Sequence, residues 1–101
     1  MFKSHSEHAL TVSFKGPKSG PCGSTRAAVA VASALRNSKG CKGASVNPGE
    51  RGHDLVVVAR FKTAVALSSG FQRAKQALLI EEAREHLNCR VGVKKTYGLG
   101  G

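Results

Sequence analysis

His8-Ala9-Leu10-Thr11-Val12-Ser13-Phe14-Lys15 alternates without a break, with Leu10, Val12 and Phe14 on one side and Thr11, Ser13 and Lys15 on the other. Successive side chains of a strand point to opposite faces, so this pattern predicts a half-buried strand running from Ala9. A second stretch echoes it in kind: His53-Asp54-Leu55-Val56-Val57 continues through Val58 and Ala59 to Arg60-Phe61-Lys62. Each stretch leads through Gly- and Ser-containing residues into a helical pattern, and the two helical patterns end at Cys41-Lys42-Gly43 and Cys89-Arg90-Val91. A strand-helix-strand unit used twice gives β-α-β-β-α-β. The expected class is therefore α+β, a ferredoxin-like sandwich with two helices on one face of a four-stranded antiparallel sheet.

The remaining segments fit this frame. Residues 1–8 lack periodicity and read as an irregular leader, 9–96 as the body and 97–101 as a glycine-rich irregular tail, all within one domain spanning 1–101. From Ser24 to Asn37, Ala27, Val31, Ala34 and Leu35 form a narrow apolar stripe suited to close packing on a sheet. Asn37-Ser38-Lys39-Gly40 stops that helix. A weak strand at Cys41–Val46 and a turn at Asn47-Pro48-Gly49-Glu50-Arg51-Gly52 follow. Leu55–Lys62 is the most apolar, β-branched run and belongs in mid-sheet. A helix is expected over 71–88 and a last strand over Arg90–Lys94.

Residues Thr63-Ala64-Val65-Ala66-Leu67 read two ways, as an extension of the preceding strand or as the start of a longer helix with the stripe Ala64, Leu67, Phe71, Ala74 and Leu78. Past Leu78 the stripe meets Glu81, Glu82 and Glu85, which have the spacing of a solvated, ion-paired helix face beside Arg84. Ile80, Ala83 and Leu87 open a different apolar face, the expected contact for a protein partner or a second copy of the chain.

The chain has 101 residues, no Trp, one Tyr and four Phe, so its core rests on Val, Ala and Leu. Sixteen Lys and Arg against six acids give a net charge of +10, which favours a polyanionic partner. The expected phosphate contacts are Lys15, Lys18, Arg26, Arg60, Lys62, Arg90, Lys94 and Lys95, with Lys15, Arg60, Lys62, Arg90 and Lys94 in phase for the open sheet face. Thr11, Ser13, Val56 and Val58 would be its outward positions, which leaves no aromatics for base stacking and points to backbone or shape recognition. The functional expectation is a small, non-enzymatic, cytoplasmic RNA- or DNA-binding protein, possible as a ribonucleoprotein component. The alternative is an inhibitory modulator docking on an acidic protein or nucleoprotein surface.

Other chemistries are weakly supported. The loop Gly16-Pro17-Lys18-Ser19-Gly20-Pro21-Cys22-Gly23 before Ser24 and Thr25 has the makings of an anion cradle at a helix start. It fails the phosphate-loop pattern, because Lys18 stands where the first glycine belongs and no lysine precedes Ser24 or Thr25. His5, His8, His53 and His86 share no metal-ligand spacing with one another or with Cys22, Cys41 and Cys89, so neither a metal nor a cofactor is expected. His8 and His53, at matching positions, read as exposed strand ends. A nuclease would have to assemble a site from His53, Asp54 or His86. Three widely spaced cysteines without a Cys-x-x-Cys pair predict reduced thiols, and no signal peptide or membrane span is evident.

Overall fold

A computed structural model describes residues 7–16, 24–50, 54–85 and 89–98. The elements run β1 (His8–Lys15), α1 (Ser24–Arg36), β2 (Cys41–Pro48), β3 (Leu55–Phe61), α2 (Ala64–Glu85) and β4 (Arg90–Thr96). The four strands form one antiparallel sheet in the order β2-β3-β1-β4. The ferredoxin-like arrangement expected from the doubled strand-helix-strand unit is the one observed.

The alternation of β1 sets the two faces of the sheet. Leu10, Val12 and Phe14 are fully buried under the helices, and their β3 partners Ala59, Val57 and Leu55 point the same way. The core closes with Ala27, Ala28, Val31, Ala32 and Leu35 of α1 and Leu67 and Ala74 of α2. Four alanines in that set let the helix layer approach the sheet closely. The two inner strands are thus the buried ones, whereas β2 and β4 at the edges are mostly exposed. Pro48 and a register irregularity between Cys41 and Gly43 interrupt the β2 edge, where Pro and bulges are tolerated.

Several boundaries and environments differ from expectation. Residue 8 belongs to β1 and not to a leader, since His8 is buried and pairs with Phe61. The strands β2 and β4 run two residues further than their apolar pattern, to Pro48 and Thr96, because neighbouring strands supply backbone partners whatever the side chains. Residues 64–67 are helix and do not extend the strand: α2 begins at Ala64 and is unbroken to Glu85. Thr63 supplies the cap, its Oγ1 accepting the Ala66 N–H at 3.0 Å. The helix carries Gly70 against the Phe61 ring.

Glu81 is buried within α2, not solvated, and one of its carboxylate oxygens has no hydrogen-bond partner. Its place in the helix turns it inward with Ala74, while Glu82 stays exposed. Cys89 is disulfide-bonded and Cys41 is free, so the thiols are not all reduced. Sequence spacing does not report on cysteine pairing, which depends on what the fold brings together. Among the described residues no helix is long and apolar enough to cross a membrane, and no group of three or more His, Cys, Asp or Glu could hold a metal ion.

Candidate functional site

The register divides the basic residues between two sides of the sheet. Lys15 pairs with Arg90, and Lys94 with Thr11, so Lys15, Arg90 and Lys94 share the open face with Arg60 opposite Ala9. Lys62 has left the strand, where its N–H bonds to the Gly40 carbonyl at 2.9 Å. Arg26 belongs to the first turn of α1, in the helix layer. Lys95 pairs with Leu10, which places it on the helix side. Lys18 lies outside the described residues. The eight basic residues therefore do not form one surface: four line the open face and the rest are dispersed.

The open face carries a depression of about 360 Å³ lined by Gly43, Ala44, Ser45, Asn47, Val58 and Arg60. Its polar groups have local partners. Asn47 Nδ2 donates to Ser45 Oγ at 3.1 Å, and Glu7 draws in both Lys42 at 3.5 Å and Arg60 at 4.0 Å. Among the described residues no buried titratable group lines it.

The other candidates separate by location. Asp54 is buried before β3, and its carboxylate accepts the Gly16 N–H at 3.3 Å while its carbonyl accepts the Gly49 N–H at 2.9 Å. That arrangement locks the end of β1 to the turn after β2. Ile80 and Ala83 are exposed on α2. His53, His86, Leu87, Cys22 and the glycine loop over 17–23 lie outside the described residues.

A different place combines a buried titratable group with an accessible surface. His8 ends β1 on the helix side, in one cross-strand row with Phe61 and, one step beyond the last β1–β4 pair, Tyr97. Its Nδ1 accepts the Gly98 N–H at 3.0 Å. An accepting Nδ1 is unprotonated, so in the neutral ring the hydrogen sits on Nε2. The Tyr97 ring meets the imidazole edge to face, 6.1 Å between centroids and 65° between planes. The imidazole is thereby fixed as a donor with its ring plane set.

This corner is open to solvent because α2 lies mainly over β1, β2 and β3, leaving β4 at the margin of the helix layer. Val93 and Tyr97 on the helix side of β4 are 41% and 45% exposed, in contrast to the fully buried Leu10 and Val12 alongside. Phe71, Lys75 and Leu78 lie along one side of α2 by helical spacing, and the contact of Lys95 with Phe71 turns that side towards β4. Lys95 reaches over the Phe71 ring, its Nζ 4.3 Å from the centroid, and Lys75 approaches the same ring at 5.4 Å. The result is an aromatic and aliphatic flank with His8 at its inner end. Sequence reading missed this site, treating His8 as an exposed strand end and grouping Lys95 with Lys94. The signal was present in the parity of 8, 10, 12 and 14.

No known family description matches the sequence, and no curated protein is similar to it. Solved structures do share its fold. A candidate antibiotic biosynthesis monooxygenase from Deinococcus radiodurans superposes with a TM-score of 0.70 at 14% identity, covering 93% of this chain and 94% of that one. A conserved Bacteroides thetaiotaomicron protein of unknown function, described as a possible oxidoreductase, gives 0.69 at 14% identity over 93% of this chain and 99% of its own. SnoaB, a cofactor-independent oxygenase from Streptomyces nogalater, gives 0.66 at 10% identity, with 96% and 97% covered. At these identities the likeness is one of fold. The designations of these neighbours, as monooxygenase, oxygenase and possible oxidoreductase, nonetheless overturn the expectation of an RNA- or DNA-binding ribonucleoprotein component, and with it that of an inhibitory modulator. The dispersal of the basic residues agrees.

Proposed function

We propose that this protein is a small-molecule enzyme that binds an electron-rich aromatic compound on the flank between α2 and β4 and promotes its oxidation by dioxygen. The observation that carries the reading is His8, a buried imidazole whose Nδ1 is occupied by the Gly98 N–H, which leaves Nε2 as a fixed donor beside Tyr97. Phenols react with dioxygen through their anions: the phenolic protons pass to solvent, a catechol or hydroquinone gives up two electrons and becomes a quinone, and dioxygen takes up two electrons and two protons to become hydrogen peroxide. A preorganised donor in an apolar setting stabilises the developing negative charge and favours that anion. Val93 and Leu78 provide apolar contact area, and Tyr97 provides a ring for stacking. The designation of SnoaB as a cofactor-independent oxygenase supports the reaction class through shared fold.

The test is enzyme-dependent oxygen uptake, measured with an electrode against the autoxidation background, for a panel of catechols, hydroquinones and dihydroxynaphthalenes. Wild-type protein is expected to accelerate uptake for at least one of them. His8→Asn offers the Gly98 N–H an oxygen close to where Nδ1 stood while removing the Nε2 donor, and it should lower the rate about a hundredfold or more. Uptake at background for the whole panel, or full activity in His8→Asn, overturns the reading.

A further inference from the structure

Phe71 is approached by two ammonium groups, from Lys95 at 4.3 Å and Lys75 at 5.4 Å, so the two Nζ lie within about 10 Å of each other. Attraction to the ring face accounts for each lysine separately. It gives no reason for both lysines to turn to the same ring, where their like charges repel each other, weakly in water and less still once an anion lies beside them. Among the described residues neither lysine forms an ion pair. Glu7 is engaged with Lys42 and Arg60, Asp54 is buried, and Glu82, on the same side of α2 as Lys75, makes no contact with either ammonium. Among the described residues the two cations thus stand without a counter-ion on the flank that leads to His8.

Resting on the oxidation site proposed above, we infer that the Lys75–Phe71–Lys95 group is a subsite for a carboxylate borne by the aromatic ligand. A carboxylate between the two Nζ would neutralise both lysines, while the attached ring lies along Phe71 and Tyr97 towards His8. The substrate class narrows accordingly from electron-rich aromatics to aromatic monocarboxylates. The +10 charge of the chain favours the approach of such an anion, but only these two lysines fix where it lands.

The experiment compares 1-naphthoate with the uncharged 1-methoxynaphthalene by equilibrium dialysis at low and moderate salt. Wild-type protein is expected to bind naphthoate more tightly. Lys75→Met and Lys95→Met should each weaken naphthoate about three- to fivefold, and the double variant about tenfold or more, with methoxynaphthalene unchanged. Lys75→Arg with Lys95→Arg should keep the preference. Lys39→Met, which removes an equal charge at the turn after α1, should leave naphthoate binding as it was. Equal binding of the two probes, or a loss in Lys39→Met as large as in the Lys75 and Lys95 variants, overturns the carboxylate subsite while the aromatic site stands. Binding of neither probe removes the site itself and the subsite with it.

Discussion

Glu81 stands on the inward side of α2, 7% exposed, with one carboxylate oxygen lacking any partner. A buried acceptor left unsatisfied costs about 1–3 kcal/mol, and an apolar side chain of similar shape does not incur that cost. Glu81→Met should therefore stabilise the protein, raising Tm by about 5 °C in a thermal melt; a lower Tm would mean that the carboxylate holds something in solution. His8 illustrates the opposite case of a buried polar group that is satisfied. His8→Ala strands the Gly98 N–H and opens a cavity beside Tyr97, whereas His8→Asn retains an acceptor, so the alanine variant should melt several degrees below the asparagine variant. Both residues were readable in part. His8 shares its parity with three core residues of β1, and that periodicity outweighs the usual exposure of histidine. Glu81 sits between Glu82 and the apolar residues at 77 and 78, where charge composition pointed outward and helical phase pointed inward. Phase prevails because the helix is rigid and held by Leu67 and Ala74.

At the scale of elements, the strands β1 and β3 were legible because their alternation and β-branched runs leave no competing pattern. The edges were less so, since strands exposed on both faces need backbone partners more than apolar side chains. α2 shows the other limit. Val65 and the apolar run around it suit a strand, and what selects the helix is Thr63, which caps Ala66, together with Gly70, which lets the helix lie against Phe61. Thr63→Ala should cost about 1 kcal/mol, visible as a lower denaturation midpoint with an unchanged slope. For Gly70→Ala two effects compete. Alanine gains about 1 kcal/mol of helix propensity, but its Cβ would come 2.6 Å from the Phe61 ring, and forcing a core ring aside costs about 1–3 kcal/mol. A net loss of stability is expected, with recovery when Phe61→Leu is added.

Over the whole molecule, the positive charges exceed what any one site uses. Lys15, Arg60, Arg90 and Lys94 crowd the open face, and only Glu7, beside Arg60, offsets them among the described ion pairs. Their mutual repulsion is screened by salt, so Tm should rise between about 10 mM and 300 mM sodium chloride, contrary to the behaviour of a protein held by surface ion pairs. Sequence composition gave the size of this charge correctly but not its distribution. Distribution depends on strand register, and a single step separates Lys94 on one face from Lys95 on the other.

The strand order also has a consequence in time. β1 is translated before the other strands, yet it lies between β3 and β4 and pairs with β4 from Lys15 and Arg90 through to Ala9 and Thr96. A nascent chain must keep the apolar side of β1 shielded, with one hydrogen-bonding edge vacant, until its final partner has emerged. Pairings so remote along the chain slow the search for the native state. The Gly98 N–H on His8 shows that the end of β4 lies against the start of β1, so a circular permutant that joins them as a hairpin would synthesise the pair consecutively. It should refold faster than the natural order in stopped-flow experiments while reaching the same sheet.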